Sequence, residues 1–171
     1  MKNEAKIESD NIKFIEISKT LIDEYLNMIN DIEVSKFLTF KSRYFSYENE
    51  LTWIEEKLKN KNVIFSMLEK HTNEFIGNIE LMSIENKIGE LAICITPNKQ
   101  NKGYGYESIN RFINYCLDEL HLNGIILSVY SHNKKAIDLY KRLGFKEYKV
   151  EKQIGLYGGK YVDDIYMRFS N

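Results

Sequence analysis

The residues best placed to do chemistry lie in the stretch QNKGYG, from Gln100 to Gly105. This stretch follows a run of alternating apolar residues and precedes a long amphipathic segment, so it stands between a strand and a helix. Backbone amides at a helix N-terminus point outward and carry the positive end of the helix dipole, and they therefore bind anions. Because two glycines leave the backbone bare, the pattern predicts a phosphate cradle. A plain glycine turn at a helix start is the alternative.

Two familiar phosphate-binding motifs do not fit this stretch. The nucleoside-triphosphate P-loop ends in Gly-Lys-Ser/Thr, whereas this chain reads Gly-Tyr-Glu-Ser from Gly105 to Ser108. The dinucleotide fingerprint needs a third glycine where Ser108 stands, and it expects a parallel strand–helix–strand unit. The strands before this loop are predicted to be antiparallel, so neither motif explains the glycines.

Apolar residues that recur with a period of two or of about 3.6 residues predict the strands and helices that must position this loop. Strands are predicted at 11–17, 63–68, 75–84, 90–96, 124–130, 146–156 and 160–169, and helices at 21–29, 46–58, 109–120 and 133–143. Residues 31–45 have no clear period and are interpreted as irregular and aromatic-rich. This order predicts an α/β (α+β) fold, in which a mixed, mostly antiparallel central sheet of about seven strands is flanked by about four helices.

The composition fits one globular domain and excludes several classes of protein. A length of 171 residues suits a single domain, and 43% apolar residues suffice for a core. A net charge of −1 argues against a nucleic-acid binder. Cys94 and Cys116 stand far apart without a Cys/His cluster, so no metal site is expected, and two free thiols suit the cytoplasm. The N-terminus is polar, and no apolar run approaches the ~20 residues of a membrane span, so we expect a soluble cytoplasmic protein with no membrane partner.

Two motifs resemble those of the GNAT N-acetyltransferases. The loop at 100–105 matches their pyrophosphate loop, Gln/Arg-x-x-Gly-x-Gly/Ala. The segment SHNKKAIDLYKRLGF, residues 131–145, resembles their Asn-x-x-Ala-x-x-x-Tyr-x-x-x-Gly-Phe segment. The resemblance implies a GNAT fold over one domain, 1–171. Within it, 63–169 would form the acetyl-CoA-binding core, and 1–62 would form the variable, substrate-side part.

The resemblance also implies that acetyl-CoA is bound as the acetyl-donating cosubstrate. In the family, backbone amides of the loop hold the pyrophosphate, and the pantetheine arm lies like an extra strand along the splayed edge of the preceding strand. A backbone amide there would polarise the thioester carbonyl. The implied cofactor-binding residues are Ile93, Cys94, Ile95, Gln100, Asn101, Lys102, Gly103, Tyr104, Gly105 and Asn133. Ordinary sheet pairing, a solvated Lys102 and a helix N-cap at Asn133 are the structural alternatives.

Tyr140 is the residue that the resemblance implies as the catalytic acid. A phenol with a pKa of about 10 can protonate a thiolate whose acid has a pKa of about 8.5. A core aromatic on a helix face is the alternative. The amine must lose a proton before it attacks, because an alkylammonium has a pKa of about 10. We predict Glu90 as the general base, acting through water, with Glu80 as a second candidate and a solvated carboxylate as the alternative.

The closing hairpin, residues 155–169, resembles that of the polyamine and ribosomal-protein N-acetyltransferases. We therefore predict direct acetyl transfer to a primary amine, such as spermidine, in a ternary complex. A ribosomal-protein or peptide N-terminal acetyltransferase is one alternative, and a non-catalytic acyl-CoA-binding module is another. Carboxylates for a polyamine pocket, with aromatic cover from Tyr44, Phe45 and Trp53, would be Asp31, Glu33, Glu48, Glu50, Glu55 and Glu56. Many family members are dimers, so a homodimer or higher homo-oligomer is a further expectation, with 37–45 as a candidate interface.

Overall fold

The chain folds into one eight-stranded sheet with helices on both faces. The computed structural model describes residues 4–38 and 44–170. The strands are β1 (Ala5–Glu8), β2 (Ile12–Glu16), β3 (Ile64–Glu69), β4 (Phe75–Glu85), β5 (Ile88–Ile95), β6 (Gly124–Tyr130), β7 (Lys146–Tyr157) and β8 (Lys160–Ser170). The helices are α1 (Ile22–Ile29), α2 (Ile32–Ser35), α3 (Tyr47–Lys59), α4 (Tyr104–Asn114) and α5 (Lys134–Arg142). The predicted α/β (α+β) class is confirmed.

The strand order is β1-β2-β3-β4-β5-β6-β8-β7, and neighbouring strands are antiparallel except β5 and β6. That parallel pair is the one that the strand–helix–strand order predicts. It is short, because residues 88–90 of β5 pair with residues 124–126 of β6 and the register ends there. Beyond Glu90 the two strands separate, which opens the middle of the sheet.

Two hydrophobic cores lie on opposite faces of the sheet, because successive side chains of a strand alternate between faces. Phe65 of β3 belongs to the larger core, where its ring meets that of Phe112 of α4 with centroids 6.2 Å apart. Ser66 faces the other way, and its hydroxyl is hydrogen-bonded to that of Tyr25 of α1 over 2.5 Å. Tyr25 and Ile54 of α3 belong to the smaller core. Helix α4 therefore covers one face, and α1 and α3 cover the other.

Three features differ from the sequence prediction. Strand β1 was not predicted, because its only buried residue is Ile7. Helix α2 forms within residues predicted to be irregular, where Asp31 caps its start by accepting the amide of Glu33 over 2.7 Å. Helix α4 begins at Tyr104, five residues before the predicted 109, and continues after Asn114 as a π-helical turn.

The candidate interface at 37–45 lies partly outside the described residues and stays a prediction. None of the helices in residues 4–38 and 44–170 is long and apolar enough to cross a membrane.

Candidate active site

Strand β5 leaves one edge open where it separates from β6. Strand β4 covers the other edge to its end, since Gly77 pairs with Ile95. Pairing with β6 stops at Glu90, so residues 93–95 have no partner on that side in the described part of the chain. This is the splayed edge that the resemblance implied for the pantetheine arm.

A cleft of about 490 Å³ opens on this edge. Its walls come from β5, the loop, α4 and α5, with α2 and the residues after it on the opposite side. The predicted site residues that line the cleft are Ile93, Cys94, Ile95, Gln100, Asn101, Gly103, Gly105, Asn133 and Tyr140. The predicted residues Lys102, Tyr104 and Glu90 are outside this lining. Three segments distant in sequence therefore meet at one cleft.

The two glycines of the loop have different roles. Gly103 is the N-cap of α4, and its φ of +88° lies in the left-handed region that favours glycine. A Cβ on Gly103 would meet nothing within 4 Å, so the space beside the helix start can receive a ligand. A Cβ on Gly105 would lie 3.1 Å from Leu139 of α5 and 3.5 Å from Ile95. Gly105 therefore lets α4 pack closely against α5 and β5.

The side chains of the loop bind the protein itself. Gln100 donates its Nε2–H to the carbonyl of Ile95 over 2.9 Å. Asn101 Oδ1 accepts from Lys135 Nζ of α5 over 3.3 Å. These contacts leave the backbone amides at the start of α4 as the groups that can hold a pyrophosphate.

Helix α5 brings Asn133 and two basic residues to the cleft. Asn133 is the N-cap of α5, and its Oδ1 accepts from the amide of Ala136 over 3.3 Å, so the N-cap alternative is confirmed. Its contact with the cosubstrate stays a prediction. Lys135 and Arg142 also line the cleft, and the sequence analysis did not select them. Their spacing of seven places them on one helix face, and this signal could have identified them.

Tyr140 is both a core aromatic and a residue of the cleft. It is 9% exposed, and its ring lies 5.8 Å from that of Phe145. Its hydroxyl has no hydrogen bond to any described residue, and burial raises its pKa well above 10. Negative charge on the sulfur of Cys94 would act in the same direction on this pKa. The phenol therefore keeps its proton at neutral pH and is available as a donor.

Cys94 is the one thiol lining the cleft among the described residues. Burial, followed by the negative charge of Glu80, raises its pKa to about 12. A protonated thiol is a poor nucleophile, because the thiolate is the reactive form. The cleft therefore lacks an activated cysteine at neutral pH.

The two candidate bases lie on the sheet face that carries Cys94. Glu80 of β4 pairs in register with Ala92, and its carboxylate forms an ion pair with Lys57 of α3. Glu90 is the last paired residue before the strands separate, and its Oε2 accepts from Ser83 Oγ over 3.1 Å. Neither carboxylate lines the cleft. The assignment of Glu90 stays a prediction that requires a bridging water.

The six carboxylates proposed for a polyamine pocket do not converge. All six lie within the described residues, and Glu33 alone among them lines the cleft. Glu55 forms an ion pair with Lys19 over 2.6 Å, and Glu50 is buried with 5% exposure. Trp53 packs against the smaller core. The carboxylates of α3 are therefore distributed around the helix.

The family model described as the Acetyltransferase (GNAT) domain matches residues 12–146 of this chain. The chain belongs to the GNAT acetyltransferases. It is therefore an N-acetyltransferase, and its acetyl donor is acetyl-CoA. The family, the enzyme class and the cosubstrate that the two motifs implied are confirmed.

Several relatives of this acetyltransferase carry more specific names. Spermidine N(1)-acetyltransferase from Vibrio cholerae is 31% identical over 111 residues, which are 56% of this chain and 64% of that protein. Acetyltransferase PseH from Campylobacter jejuni is 27% identical over 139 residues, which are 81% of this chain and 85% of that protein. The crystal structure of spermidine N-acetyltransferase from Vibrio cholerae in complex with CoA and spermine has a TM-score of 0.85. It is 24% identical, and the match covers 95% of this chain and 96% of that one. The chain thus shares the whole fold with that structure.

The cleft of the acetyltransferase fits its cosubstrate at three points. The start of α4 offers backbone amides beside open space at Gly103, which suits a pyrophosphate. The unpaired edge at Cys94 can hydrogen-bond an extended chain as a strand does. Tyr140 presents a protonated hydroxyl in the same cleft. An anion site, an extended edge and a proton donor thus belong to the same cleft.

Proposed function

We propose that the chain transfers the acetyl group of acetyl-CoA to a primary amine, and that the acceptor is a polyamine such as spermidine. The observation that carries the reaction is Tyr140, a protonated phenol in the cleft on the open edge of β5. The acceptor class is supported by the relatives named as spermidine acetyltransferases. In this scheme Tyr140 protonates the leaving thiolate of CoA.

Direct attack by the amine in a ternary complex is the mechanism we propose. The alternative, a covalent acetyl-enzyme, would require a nucleophile in the cleft, and the thiol of Cys94 has a pKa of about 12. Only a minute fraction is thiolate at neutral pH. In the proposed complex, backbone amides at the start of α4 hold the pyrophosphate, and the edge at 93–95 holds the pantetheine arm and polarises the thioester carbonyl. Glu90 takes the proton of the amine through water.

Residues 1–62 form the acceptor side in this proposal. Helix α2 contributes Glu33 and, just after it, Phe37 to the wall that faces β5. Glu33 lies 2.6 Å from Lys36 and is 60% exposed, so an incoming ammonium group can compete for its carboxylate. An aromatic ring beside a carboxylate suits an alkylammonium, because the ring face attracts cations.

The first test is thiol release from acetyl-CoA with spermidine, spermine, simple diamines, aminoglycosides and N-terminal peptides as acceptors. Turnover with the polyamines supports the proposal. Turnover only with peptides would replace the polyamine with a protein N-terminus. Absence of turnover with every acceptor, while acetyl-CoA still binds, would refute the polyamine acceptor and point to an amine outside this panel.

The acceptor wall is tested with a matched pair of variants. We expect Glu33→Gln to raise the KM for spermidine roughly fivefold, the effect of one lost charge at an exposed site. Glu147→Gln is the control, since Glu147 also forms an exposed ion pair, with Lys141 over 2.8 Å, away from the cleft. Equal KM values for spermidine in the two variants would show that Glu33 does not contribute to acceptor binding.

We further propose a cytoplasmic homodimer or higher homo-oligomer. Both cysteines are free thiols, as in proteins of reducing compartments. Large apolar side chains of the β7–β8 hairpin are exposed, Leu156 by 56% and Tyr161 by 67%, and such surfaces are typical of interfaces. Light scattering on the purified protein tests this, and a monomer at all concentrations would refute it.

A further inference from the structure

A set of polar and charged side chains adjoins the loop and does not line the cleft. Glu69 ends β3, Lys99 ends the short 3₁₀ turn before the loop, and Tyr104 is the first residue of α4. The hydroxyl of Tyr104 donates to Glu69 Oε1. Lys99 Nζ lies 3.3 Å from Glu69 Oε2 and forms a second ion pair with Glu74. We call these four residues the loop clamp.

The burial of Lys99 shows that the loop clamp is more than a surface ion pair. Lys99 is 7% exposed, and lysine is almost never this buried unless its charge is paired. Its ammonium also lies 6.0 Å from the centre of the Tyr104 ring. Hydrogen bonds from Thr72 and then Tyr104, with Lys99 after them, lower the pKa of Glu69 to about 2. Glu69 therefore remains a carboxylate at every pH at which an enzyme is normally assayed.

One carboxylate, that of Glu69, binds the two residues that flank positions 100–103 of the loop. Lys99 immediately precedes Gln100, and Tyr104 immediately follows Gly103. Both side chains bind Glu69, so the four residues between them form a closed arc whose ends are fixed to the same point of the sheet. Gly103, beside which the space is open, is the last residue of this arc.

The first turn of α4 is also held from a second direction. Glu107 accepts from Ser9 Oγ over 2.7 Å, from the amide of Asn11 over 2.7 Å and from Asn11 Nδ2 over 3.0 Å. These donors belong to the turn between β1 and β2. The start of α4 is thus fixed to two separate hairpins before any ligand arrives. Backbone N–H groups that are already held in place bind a pyrophosphate more tightly, because less ordering is needed on binding.

We propose that Glu69 is a positioning residue for acetyl-CoA, which holds Lys99 and Tyr104 so that the loop keeps the shape that receives the pyrophosphate. The inference rests on the proposal that the loop binds this part of the cosubstrate. It predicts an effect confined to donors that carry the pyrophosphate. In the proposed complex the reacting end of the donor lies at β5 and Tyr140. Among the described residues, the side-chain hydrogen bonds and ion pairs of the loop clamp involve neither β5 nor Tyr140.

The experiment compares acetyl-CoA with S-acetylpantetheine, which has the same thioester and no pyrophosphate. In Glu69→Gln we expect kcat/KM for acetyl-CoA to fall roughly tenfold or more, because a charged hydrogen-bond acceptor is lost from three partners, Thr72, Lys99 and Tyr104. We expect kcat at saturating acetyl-CoA and kcat/KM for S-acetylpantetheine to stay within about twofold of the wild type. Titration calorimetry with CoA should show the same loss of affinity without any acceptor amine.

Tyr104→Phe is the second variant, and it removes only the hydroxyl that binds Glu69. It should show the same selective loss for acetyl-CoA to a smaller extent, and it keeps the inference testable if Glu69→Gln folds poorly. Glu147→Gln is again the control, and its kcat/KM should equal that of the wild type with either donor.

The outcomes separate this inference from the proposal beneath it. If the wild type uses both donors equally well, the loop does not bind the pyrophosphate. If the wild type prefers acetyl-CoA and both variants keep that preference, the role of Glu69 is refuted. A loss of equal size for both donors would assign Glu69 to the stability of the fold.

Discussion

Replacing Glu50 with glutamine should make the protein more stable at pH 8 and remove part of its pH dependence. Glu50 lies in the first turn of α3 and is 5% exposed. No described residue forms a hydrogen bond with its carboxyl group, and burial raises its pKa from the usual 4.5 to about 7. The charged form is thus disfavoured in the folded protein.

The size and sign of the effect follow from this rise. Because the folded state binds the proton more tightly than the unfolded chain, the contribution to stability is fully present below pH 4.5. It decreases as the pH rises and is lost above about pH 7. One pKa unit corresponds to ~1.4 kcal/mol, so the charged carboxylate costs roughly 3 kcal/mol as an upper limit. Glutamine has nearly the same shape and no charge, so Glu50→Gln should avoid this cost.

The assay is urea unfolding of the wild type and Glu50→Gln at pH 5, 6, 7 and 8. We expect similar free energies of unfolding at pH 5 and a difference of up to roughly 3 kcal/mol in favour of the variant at pH 8. Glu56→Gln, an exposed position on the same helix, is the control and should parallel the wild type. Parallel curves for wild type and Glu50→Gln, or a variant less stable at pH 8, would refute the reasoning.

Four further predictions concern the cleft and the strands beside it. Tyr140→Phe should lower kcat by about 10²- to 10⁴-fold, because it removes the proton donor. The KM for acetyl-CoA should change little, since the lost hydroxyl leaves no hydrogen-bond partner unsatisfied among the described residues. Steady-state kinetics measures both values. Because burial raises the pKa of Tyr140, wild-type kcat should show no alkaline decline from this group below pH 10, and a decline near pH 8 would contradict the assignment. Gly77→Ala should lower the free energy of unfolding by several kcal/mol in urea titration, because its Cβ would lie 2.0 Å from the carbonyl oxygen of Cys94. Gly103→Ala should cost about 1–2 kcal/mol of stability through its positive φ and weaken CoA binding in calorimetry, while unchanged affinity would show that the arc tolerates a side chain.

Much of the part of the cleft assigned to acetyl-CoA could be predicted from the sequence, because the sequence patterns that mark it are local. A period of two marks β5, a period near 3.6 marks α5, and two glycines between a strand and a helix mark the loop. Ser46, the first residue of the predicted helix 46–58, forms a capping box with Asn49 at the start of α3. Each of these features depends on residues within a few positions of one another.

The acceptor side could not be predicted, because it depends on tertiary placement. Glu33 and Phe37 reach the cleft only because α2 lies opposite β5, and four residues of helix give no clear period. Composition alone grouped Glu33 with Glu50 and Glu55, yet one lines the cleft, one is buried and one is paired with Lys19. The loop clamp was missed for the same reason, since Glu69 and Lys99 are thirty residues apart.

The separation of β5 from β6 also has a consequence for how long the protein survives in a cell, which would depend on the concentration of acetyl-CoA. The register between β5 and β6 ends at Glu90. In the proposed complex the pantetheine arm would pair with the edge left open beyond it, and the unfolded chain offers no such edge. A ligand that binds only the folded state adds about 2.7 kcal/mol of stability at a concentration one hundred times its Kd. Proteolysis removes unfolded molecules first. Cells rich in acetyl-CoA would therefore keep more of this enzyme, and starved cells would clear it, without any change in its synthesis.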